Sequence, residues 1–381
     1  MTPRRLSSRS SSGYLTIDDE AVAITNKPVM RSKAPKFWPF VRRVWHFIQF
    51  RLTPHKRPVL KKQISHEDLL ESAKTSCIIS TKPMSPAVAL KISRDIEGLP
   101  QEYSTHKIVE DAFRWATAAL NKMPGGAPLP YIPLCFDFYP DFGSTEFASV
   151  LSHEKWADLN SSAYTMELIR PFHLHYVKYL VKRHLSHPVQ GLALSGSECS
   201  SFLPEVCLGD LSPLPDRWRA HLQHRAAYVD QLEREGVNLQ SVSEIMGFSL
   251  ALLHWGCHID GAGVRFVLGC DRRGHIHMWL TRFGECKPLN SVKEDVPAQL
   301  VDAIMNNSAC WPKWINLCKY RGLWAAFRQG YIRMALLLHD DDESTPASQY
   351  LPLVFINDLQ LLRGPPKRTA WKGINLNGAA Q

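Results

Sequence analysis

The chain of 381 residues lacks a run of apolar residues as long as the roughly 20 that a membrane-spanning helix needs. Its first 13 residues are rich in Ser and Arg and include no apolar stretch, so they do not predict a secretory signal. The nine cysteines follow no disulfide framework spacing, which predicts free thiols in a reducing compartment. We therefore expect an intracellular protein, cytoplasmic or nuclear, without a transmembrane segment.

Two common site motifs are also missing. No C-x2-C pair is present, and Leu194-Ser-Gly-Ser197 does not form the G-x-S-x-G turn of hydrolases. Four of seven neighbouring His and Cys residues would suffice for a tetrahedral zinc ion. These residues are His254, Cys257, His258, Cys270, His275, His277 and Cys286. Without finger spacing we expect His254 and Trp255 to pack in the core, and we predict no metal site.

Positive charge is concentrated at one end of the chain. Residues 1–62 contain 14 Lys and Arg against three Asp and Glu, whereas the remaining residues contain 31 against 33. The net charge of +9 therefore does not indicate a nucleic-acid-binding core. We predict that residues 1–62 form a basic, largely disordered arm with contacts to an anionic membrane or to nucleic acid.

Within this arm, residues 37–51 show helical periodicity. Their apolar positions recur at i, i+3, i+4 and i+7 with basic residues between them. The apolar set is Val41, Val44, Trp45 and Ile48. This pattern predicts a short amphipathic helix that contacts a membrane surface or a partner's groove, or that docks on the protein's own core.

The order of the predicted elements indicates an α+β protein with two lobes. Strands come first: 87–92, 131–138 and 163–169, with a helix over 106–120. Helices follow over 172–185, 217–235, 241–255 and 322–339, with a mostly irregular segment over 186–215. Ser241 and Glu244 form a predicted capping box at the start of the third of these helices. We expect a strand-rich N-lobe over 63–170, a helical C-lobe over 171–362 with a β-hairpin over 264–281, and a flexible tail over 363–381.

The hairpin carries the most informative motif. The sequence His258-Ile-Asp260-Gly-Ala-Gly-Val-Arg265 resembles the loop H-x-D-x-x-x-x-N of aminoglycoside and choline kinases, with Arg265 in place of the Asn. In that superfamily the Asp orients or accepts the proton of the attacking hydroxyl, and the Asn and a later Asp hold Mg²⁺. The resemblance implies that Asp260 occupies the position of the catalytic base.

Upstream residues resemble the same superfamily. Val88-Ala-Leu-Lys91 is similar to the strand motif V-A-I-K, whose Lys contacts the nucleotide phosphates. The Glu that would pair with this Lys is either Glu102 or Glu110. Segment 164–170 is similar to the last N-lobe strand running into a hinge, which implies that Met166 and Glu167 line a nucleotide pocket.

A longer stretch resembles a fungal family of unknown function that is often labelled "zinc finger protein". The resemblance spans roughly residues 85–340 and is most specific in Ala251-Leu-Leu-His-Trp255 and Val264-x-Phe-Val-Leu-Gly269. It implies a fungal origin. Where that family has Asp-Phe-Asp-Gln-Cys, this chain has Arg282-Phe-Gly-Glu-Cys286. Arg282 thus replaces the expected metal-binding Asp.

Two arginines therefore occupy the positions at which Mg²⁺ ligands are expected. A guanidinium group cannot coordinate a metal, so we do not expect Mg²⁺ to bind well. Arg265 and Arg282 either bind an anion such as a phosphate of ATP directly, or form salt bridges to Asp260, Glu285 or Asp271 that close the site. The sequence favours a pseudokinase-like binding or scaffold protein with protein partners over an enzyme. The alternatives are a small-molecule phosphotransferase with atypical metal usage and an interaction module anchored through residues 1–62.

Overall fold

The computed structural model describes the parts of the chain between residues 69 and 362 in which the elements below lie. The described ranges are 69–72, 76–80, 88–121, 129–141, 161–185, 187–195, 202–212, 226–271, 273–289, 296–312, 320–339 and 346–362. The predicted basic arm over 1–62, its helix over 37–51 and the predicted tail over 363–381 lie outside these residues.

A five-stranded antiparallel sheet is built from the first part of the chain. Its strands are β1 (Leu69–Ser72), β2 (Ser76–Ser80), β3 (Val88–Ser93), β4 (Cys135–Tyr139) and β5 (Ser162–Glu167). They lie in the order β1-β2-β3-β5-β4. The helix α1 (Gly98–Leu120) follows β3 and places Leu99 against Cys135 and Tyr164 of the sheet.

Helices dominate the second part, around a second sheet. The helices are α2 (Leu174–His184), α3 (His187–Ser195), α4 (Val229–Arg234), α5 (Leu239–Ala251), α6 (Val296–Asn306), α7 (Arg321–His339) and α8 (Pro346–Leu362). The strands are β6 (Glu205–Cys207), β7 (Ala226–Tyr228), β8 (Arg265–Cys270) and β9 (Ile276–Thr281), in the order β7-β6-β8-β9. Strands β6 and β7 are parallel, and the other pairs are antiparallel.

Two glycines let α5 and α7 approach each other closely. A Cβ atom on Gly247 would overlap the carbonyl oxygen of Phe327, and one on Gly330 would overlap that of Glu244. Large buried side chains, among them Trp311 and Tyr331, fill the core around this crossing. The crossing positions the next segment, because α5 leads through a π-helical turn, Leu252–Gly256, into the loop over residues 257–264. We call this segment the Asp260 loop.

Several predicted elements agree with the structure. The expected strands over 87–92 and 163–169 correspond to β3 and β5, and the expected β-hairpin over 264–281 corresponds to β8 and β9. The expected helices over 172–185 and 322–339 correspond to α2 and α7. The α+β class is confirmed. None of the helices in the described parts is long and apolar enough to cross a membrane.

Other predicted elements were wrong in extent or type. The helix predicted from residue 106 begins at Gly98, because the Asp95 carboxylate accepts a 2.8 Å hydrogen bond from the Gly98 amide. Pro100 lies in the first helical turn, where a proline is tolerated. The strand predicted over 131–138 is shorter, and Tyr131 forms an isolated bridge to Trp279 instead. Residues 186–215, predicted to be mostly irregular, contain α3 and β6.

The helix predicted over 217–235 was also wrong where the structure describes it. Residues 226–228 form β7, and only the following residues are helical, because pairing with β6 overrides the helical periodicity. The cap of α5 is Asn238, whose side chain accepts a 3.1 Å hydrogen bond from the Ser241 amide. The predicted capping box at Ser241 and Glu244 therefore lies inside the helix.

Candidate functional site

Lys91 and Glu102 form an ion pair between β3 and α1. The Lys91 Nζ atom lies 2.6 Å from Oε1 of Glu102, and the two side chains are only 15% and 10% exposed. The Tyr164 hydroxyl, on the neighbouring strand, donates to the same Glu102 oxygen at 3.4 Å. The pair fixes the helix to the sheet at the position where the sequence predicted a Lys–Glu contact.

Glu110, the other candidate partner of Lys91, has different contacts. It accepts a 2.9 Å hydrogen bond from the backbone amide of Cys135 and forms an ion pair with Arg114. Lys107 Nζ lies 3.6 Å from Oε2 of Glu110, the oxygen that accepts from Cys135. Glu110 therefore joins α1 to β4. Of the two candidate partners of Lys91, Glu102 is the one that forms the ion pair.

The predicted pocket residues Met166 and Glu167 lie at the end of β5. Met166 is opposite Ala89 of β3 in the strand register, and the Glu167 amide donates to the Leu134 carbonyl oxygen at 2.7 Å. A few residues later, the Arg170 carbonyl oxygen accepts a 2.7 Å hydrogen bond from the amide of Cys270 in β8. The segment after β5 thus links the first sheet to the second.

The Asp260 loop follows the π-helical turn and has an unusual backbone. His258 has a φ of 56°, in the left-handed region that is rare for side-chain-bearing residues. Asp260 is 3% exposed. Its Oδ1 accepts hydrogen bonds from the amides of Ala262 at 3.0 Å and Lys287 at 2.9 Å. The carboxylate is therefore used to hold its own loop against the segment after β9.

His254 supports this loop from the core. Its Nε2 donates to the Asp260 carbonyl oxygen at 3.3 Å, and its Nδ1 accepts from the Tyr331 hydroxyl at 2.9 Å. That hydroxyl in turn accepts from Trp255 Nε1 at 2.8 Å. Burial lowers the pKa of His254 to about 3, so this histidine is neutral at physiological pH. His254 and Trp255 are buried core residues with complete hydrogen bonding.

Arg265 and Arg282 converge on one carboxylate that the sequence analysis did not consider. Arg265 Nε lies 3.5 Å from Oε2 of Glu205, and Arg282 Nη2 lies 3.4 Å from Oε1. Arg265 also donates to the Asn307 side chain, whose amide nitrogen donates to the Val264 carbonyl oxygen at 2.8 Å. The structure thus gives both arginines a carboxylate partner, Glu205, that is not among the three partners named in the sequence analysis.

The segment after β9 brings the Lys91 pair and the Asp260 loop together. The Phe283 ring packs at 5.0 Å from the ring of His106 on α1. A Cβ atom on Gly284 would lie 2.8 Å from Oε2 of Glu102, and one on Gly263 would lie 2.6 Å from Oε2 of Glu285. Residues 282–286 therefore contact both α1 and the Asp260 loop.

His106, which packs against Phe283, is a buried histidine of α1. Burial lowers its pKa to about 4, although a hydrogen bond to the Pro133 carbonyl oxygen opposes the shift. Because a carbonyl oxygen can only accept, the Nε2–H donates this bond, at 2.8 Å. His106 is thus neutral and joins α1 to the segment before β4.

The seven His and Cys residues considered for zinc do not form one cluster. Cys257 and Cys286 are buried, and burial raises the pKa of both thiols. In the part of the chain that the structure describes, the group with metal-ligand geometry contains His275, His277 and a residue outside the predicted set, Asp271.

No protein-family model matches this chain, and no characterised protein matches it in sequence. Interpretation of the site therefore depends on its own geometry. Sequence reasoning missed Glu205 and Asn307, and it named Asp271 only as a possible partner of the arginines and not as a neighbour of His275 and His277. Glu205 is about 60 residues before Arg265 in the chain, and no local pattern marks it as the partner of two arginines.

Proposed function

We propose that this protein is a non-catalytic binding or scaffold protein with a degenerate, kinase-like domain. The observation that carries this proposal is the pairing of Arg265 and Arg282 with Glu205. In the resemblance to small-molecule kinases, these arginines occupy the positions of the two Mg²⁺ ligands. Two cations held by one carboxylate leave those positions without an oxygen donor for a metal ion.

The environment of Asp260 supports the same conclusion. A catalytic base must reach the hydroxyl of its substrate. Asp260 is 3% exposed, and one of its oxygens accepts two backbone hydrogen bonds. Its role in this protein is to fix the loop. We infer that the protein retains the arrangement of a phosphotransferase and uses it to bind partners, which we propose to be proteins.

One observation favours a second candidate, a small-molecule phosphotransferase with atypical metal usage. The ion pair between Lys91 and Glu102 is present, as a phosphotransferase requires of its phosphate-binding Lys and the Glu on the following helix. Glu102 also lies next to Gly284, in the segment after β9. On this hypothesis Lys91 contacts the phosphates of ATP, and the arginines supply the charge of the missing metal.

Titration of the full-length protein with ATP, with and without Mg²⁺, distinguishes the two candidates. Ligands that bind the native state raise the melting temperature by mass action. The proposal predicts no ATP-dependent shift in the natural protein, with or without Mg²⁺, and no ATP hydrolysis, whereas the phosphotransferase hypothesis predicts a shift that does not require Mg²⁺ together with hydrolysis of ATP. The proposal also predicts a Mg²⁺-dependent shift in the double variant Arg265→Asn, Arg282→Asp, which restores oxygen donors.

Matched variants make this experiment specific. The exposed residues Arg94 and Arg328 provide a control double variant, Arg94→Asn with Arg328→Asp, with the same change in charge. Lys91→Met should abolish any nucleotide-dependent shift. ATP hydrolysis by the natural protein that is lost in Asp260→Asn would overturn the proposal in favour of the enzyme. Asn at this position keeps an acceptor for the two backbone amides.

A further inference from the structure

The turn between β8 and β9 brings three metal-ligating side chains together. One ligand atom from each of Asp271, His275 and His277 lies within 4.8 Å of the other two. The Oδ2 atom of Asp271 is 3.2 Å from Nε2 of His277 and 3.6 Å from Nδ1 of His275. This cluster lies at the tip of the hairpin, apart from the ion pairs that carry the proposed function.

Hydrogen bonds within the turn set the orientation of the Asp271 carboxylate. Its Oδ1 accepts from the amides of Arg273 at 2.8 Å and His275 at 2.9 Å. The Asp271 amide donates to the His275 carbonyl oxygen, and Gly274, with a φ of 85°, closes the turn. With Oδ1 committed to the backbone, Oδ2 is the atom that faces the two imidazoles.

The strand register and an aromatic contact hold the histidines. His277 is opposite Gly269 in the β8–β9 ladder, and the Tyr131 ring lies 4.6 Å from its ring. His275 immediately precedes β9, His277 is the second residue of that strand, and the centroids of their rings are 6.4 Å apart. His173, the residue just before α2, borders the turn, since its Nε2 lies 2.9 Å from the Cβ position of Gly274.

The distances suit a tetrahedral ion. Ligand atoms at about 2.0 to 2.1 Å from a tetrahedral zinc ion are roughly 3.3 Å apart, which is close to the two distances from the Asp271 Oδ2 atom to the histidine nitrogens. The two histidine nitrogens lie within 4.8 Å of each other. Two imidazoles and one carboxylate select zinc and its neighbours over Mg²⁺ and Ca²⁺, which prefer oxygen ligands alone. The His275 side chain is 68% exposed, so an ion can reach the site from solvent, and a fourth position remains for water.

The charge of the cluster is also suitable. The Asp271 side chain is 25% exposed, and its Oδ1 accepts two backbone hydrogen bonds, which favour the ionised carboxylate. Asp271 is therefore suited to act as an anionic ligand. A metal ion would replace the contacts between this carboxylate and the two histidines with three coordinate bonds.

We propose that Asp271, His275 and His277 bind one divalent transition-metal ion of the zinc class. The site is independent of the kinase-like interpretation, because it shares no residue with the Lys91–Glu102 pair or with the arginines on Glu205. Binding would join the two ends of the turn and stabilise the hairpin.

The test uses full-length protein without an affinity tag, stripped of metal and titrated with Zn²⁺ by calorimetry and with Co²⁺ by absorption spectroscopy. Two variants remove one ligand each while keeping the local structure. Asp271→Asn retains the Oδ1 acceptor of the turn, and His277→Phe retains an aromatic ring for Tyr131. His187→Ala, at an exposed histidine of α3, is the matched control.

The natural protein and His187→Ala should bind one Zn²⁺ with equal affinity, whereas each ligand variant should bind at least about tenfold more weakly. Zn²⁺ should also raise the melting temperature of the natural protein more than that of either variant. Three results would overturn the proposal: no saturable binding by the natural protein, equal binding in all four proteins, or a Co²⁺ spectrum with the intense charge-transfer band of thiolate ligands.

Discussion

Two of the ion-pair sites in this protein differ in the balance of charge that they hold. The pair Lys91–Glu102 joins a strand to a helix with one cation and one anion. The triad of Arg265, Glu205 and Arg282 holds two cations on one anion. On the proposed kinase-like interpretation, the first site retains the residues that a phosphotransferase needs and the second does not.

This difference teaches that the stability of a fold and its catalytic capacity can be separated. The carboxylate of Glu205 can stabilise the second sheet by holding Arg265 on β8 and Arg282 just after β9. Metal ions are not needed for that role. On the proposed interpretation, a site can lose its metal ligands and keep its architecture, provided that the new charges are compensated nearby.

The largest expected effect comes from removing the shared carboxylate. Glu205→Gln leaves two partly buried guanidinium groups without the anion between them. We expect the free energy of unfolding to fall by about 2 to 3 kcal/mol, below the range for a fully buried pair because Arg282 is 36% exposed. Urea denaturation monitored by tryptophan fluorescence measures this loss.

An exposed ion pair provides the control for that variant. Arg333 Nη1 lies 2.8 Å from Oε1 of Glu244, but the two side chains are 43% and 26% exposed. Glu244→Gln should cost no more than about 0.5 kcal/mol. Equal losses in the two variants would show that the Glu205 triad contributes no more than an ordinary surface pair.

The second largest effect is a pH dependence of the free energy of unfolding, to which one buried histidine near each of the two regions contributes. His106 adjoins the Lys91 region and His254 supports the Asp260 loop, and burial lowers the pKa of these histidines to about 4 and about 3. The unfolded chain binds their protons below about pH 6.5. Each histidine therefore contributes stability that is complete above that pH and is lost as the pH falls toward the folded value.

At pH 5 each histidine should reduce the free energy of unfolding by about 2 kcal/mol relative to pH 7. The measurement is urea denaturation at several pH values in the natural protein and in His106→Gln and His254→Gln. Both variants should be less stable at pH 7 but should show a shallower pH dependence. An unchanged slope in either variant would contradict the assignment of that histidine.

The contrast between the two sites also shows what a sequence can predict. The strand with Lys91 and the hairpin that follows Asp260 were predictable because local periodicity and short motifs define them. The choice between Glu102 and Glu110 was not, because it depends on where α1 begins, and its first turn contains Gly98 and Pro100. Contacts set by the start of a helix require knowledge of its cap.

Long-range pairing explains the rest. The sequence predicted that Arg265 and Arg282 would need anionic partners, but Glu205 lies on a three-residue strand within a segment that was expected to be irregular. Its position is set by pairing with β7 and β8. Asp271 was missed as a metal ligand for a similar reason, since the turn geometry alone directs its Oδ2 toward the histidines.

A smaller effect is expected at the retained site. Lys91→Met removes the cation and leaves the Glu102 carboxylate with the Tyr164 hydroxyl as a donor. We expect a loss of about 1 to 2 kcal/mol in the free energy of unfolding. It is smaller than for Glu205→Gln because one charge rather than two loses its partner, and that charge keeps a hydrogen-bond donor. The double variant Lys91→Met, Glu102→Leu should recover part of this loss, because no unpaired charge remains. The single variant Glu102→Leu completes the comparison. A double variant whose loss of stability equals or exceeds the sum of the losses in Lys91→Met and Glu102→Leu would contradict a direct pair.

The smallest predicted effect tests whether the two regions are in contact. A Cβ atom on Gly284 would lie 2.8 Å from Oε2 and 3.1 Å from Cδ of Glu102. Gly284→Ala should therefore displace the carboxylate and cost less than about 1 kcal/mol, since the end of a Glu side chain can move. The same substitution in a Glu102→Ala background should cost nothing. Urea denaturation of the four proteins closes this cycle, and an equal cost in both backgrounds would show that residues 282–286 do not contact α1 through Glu102.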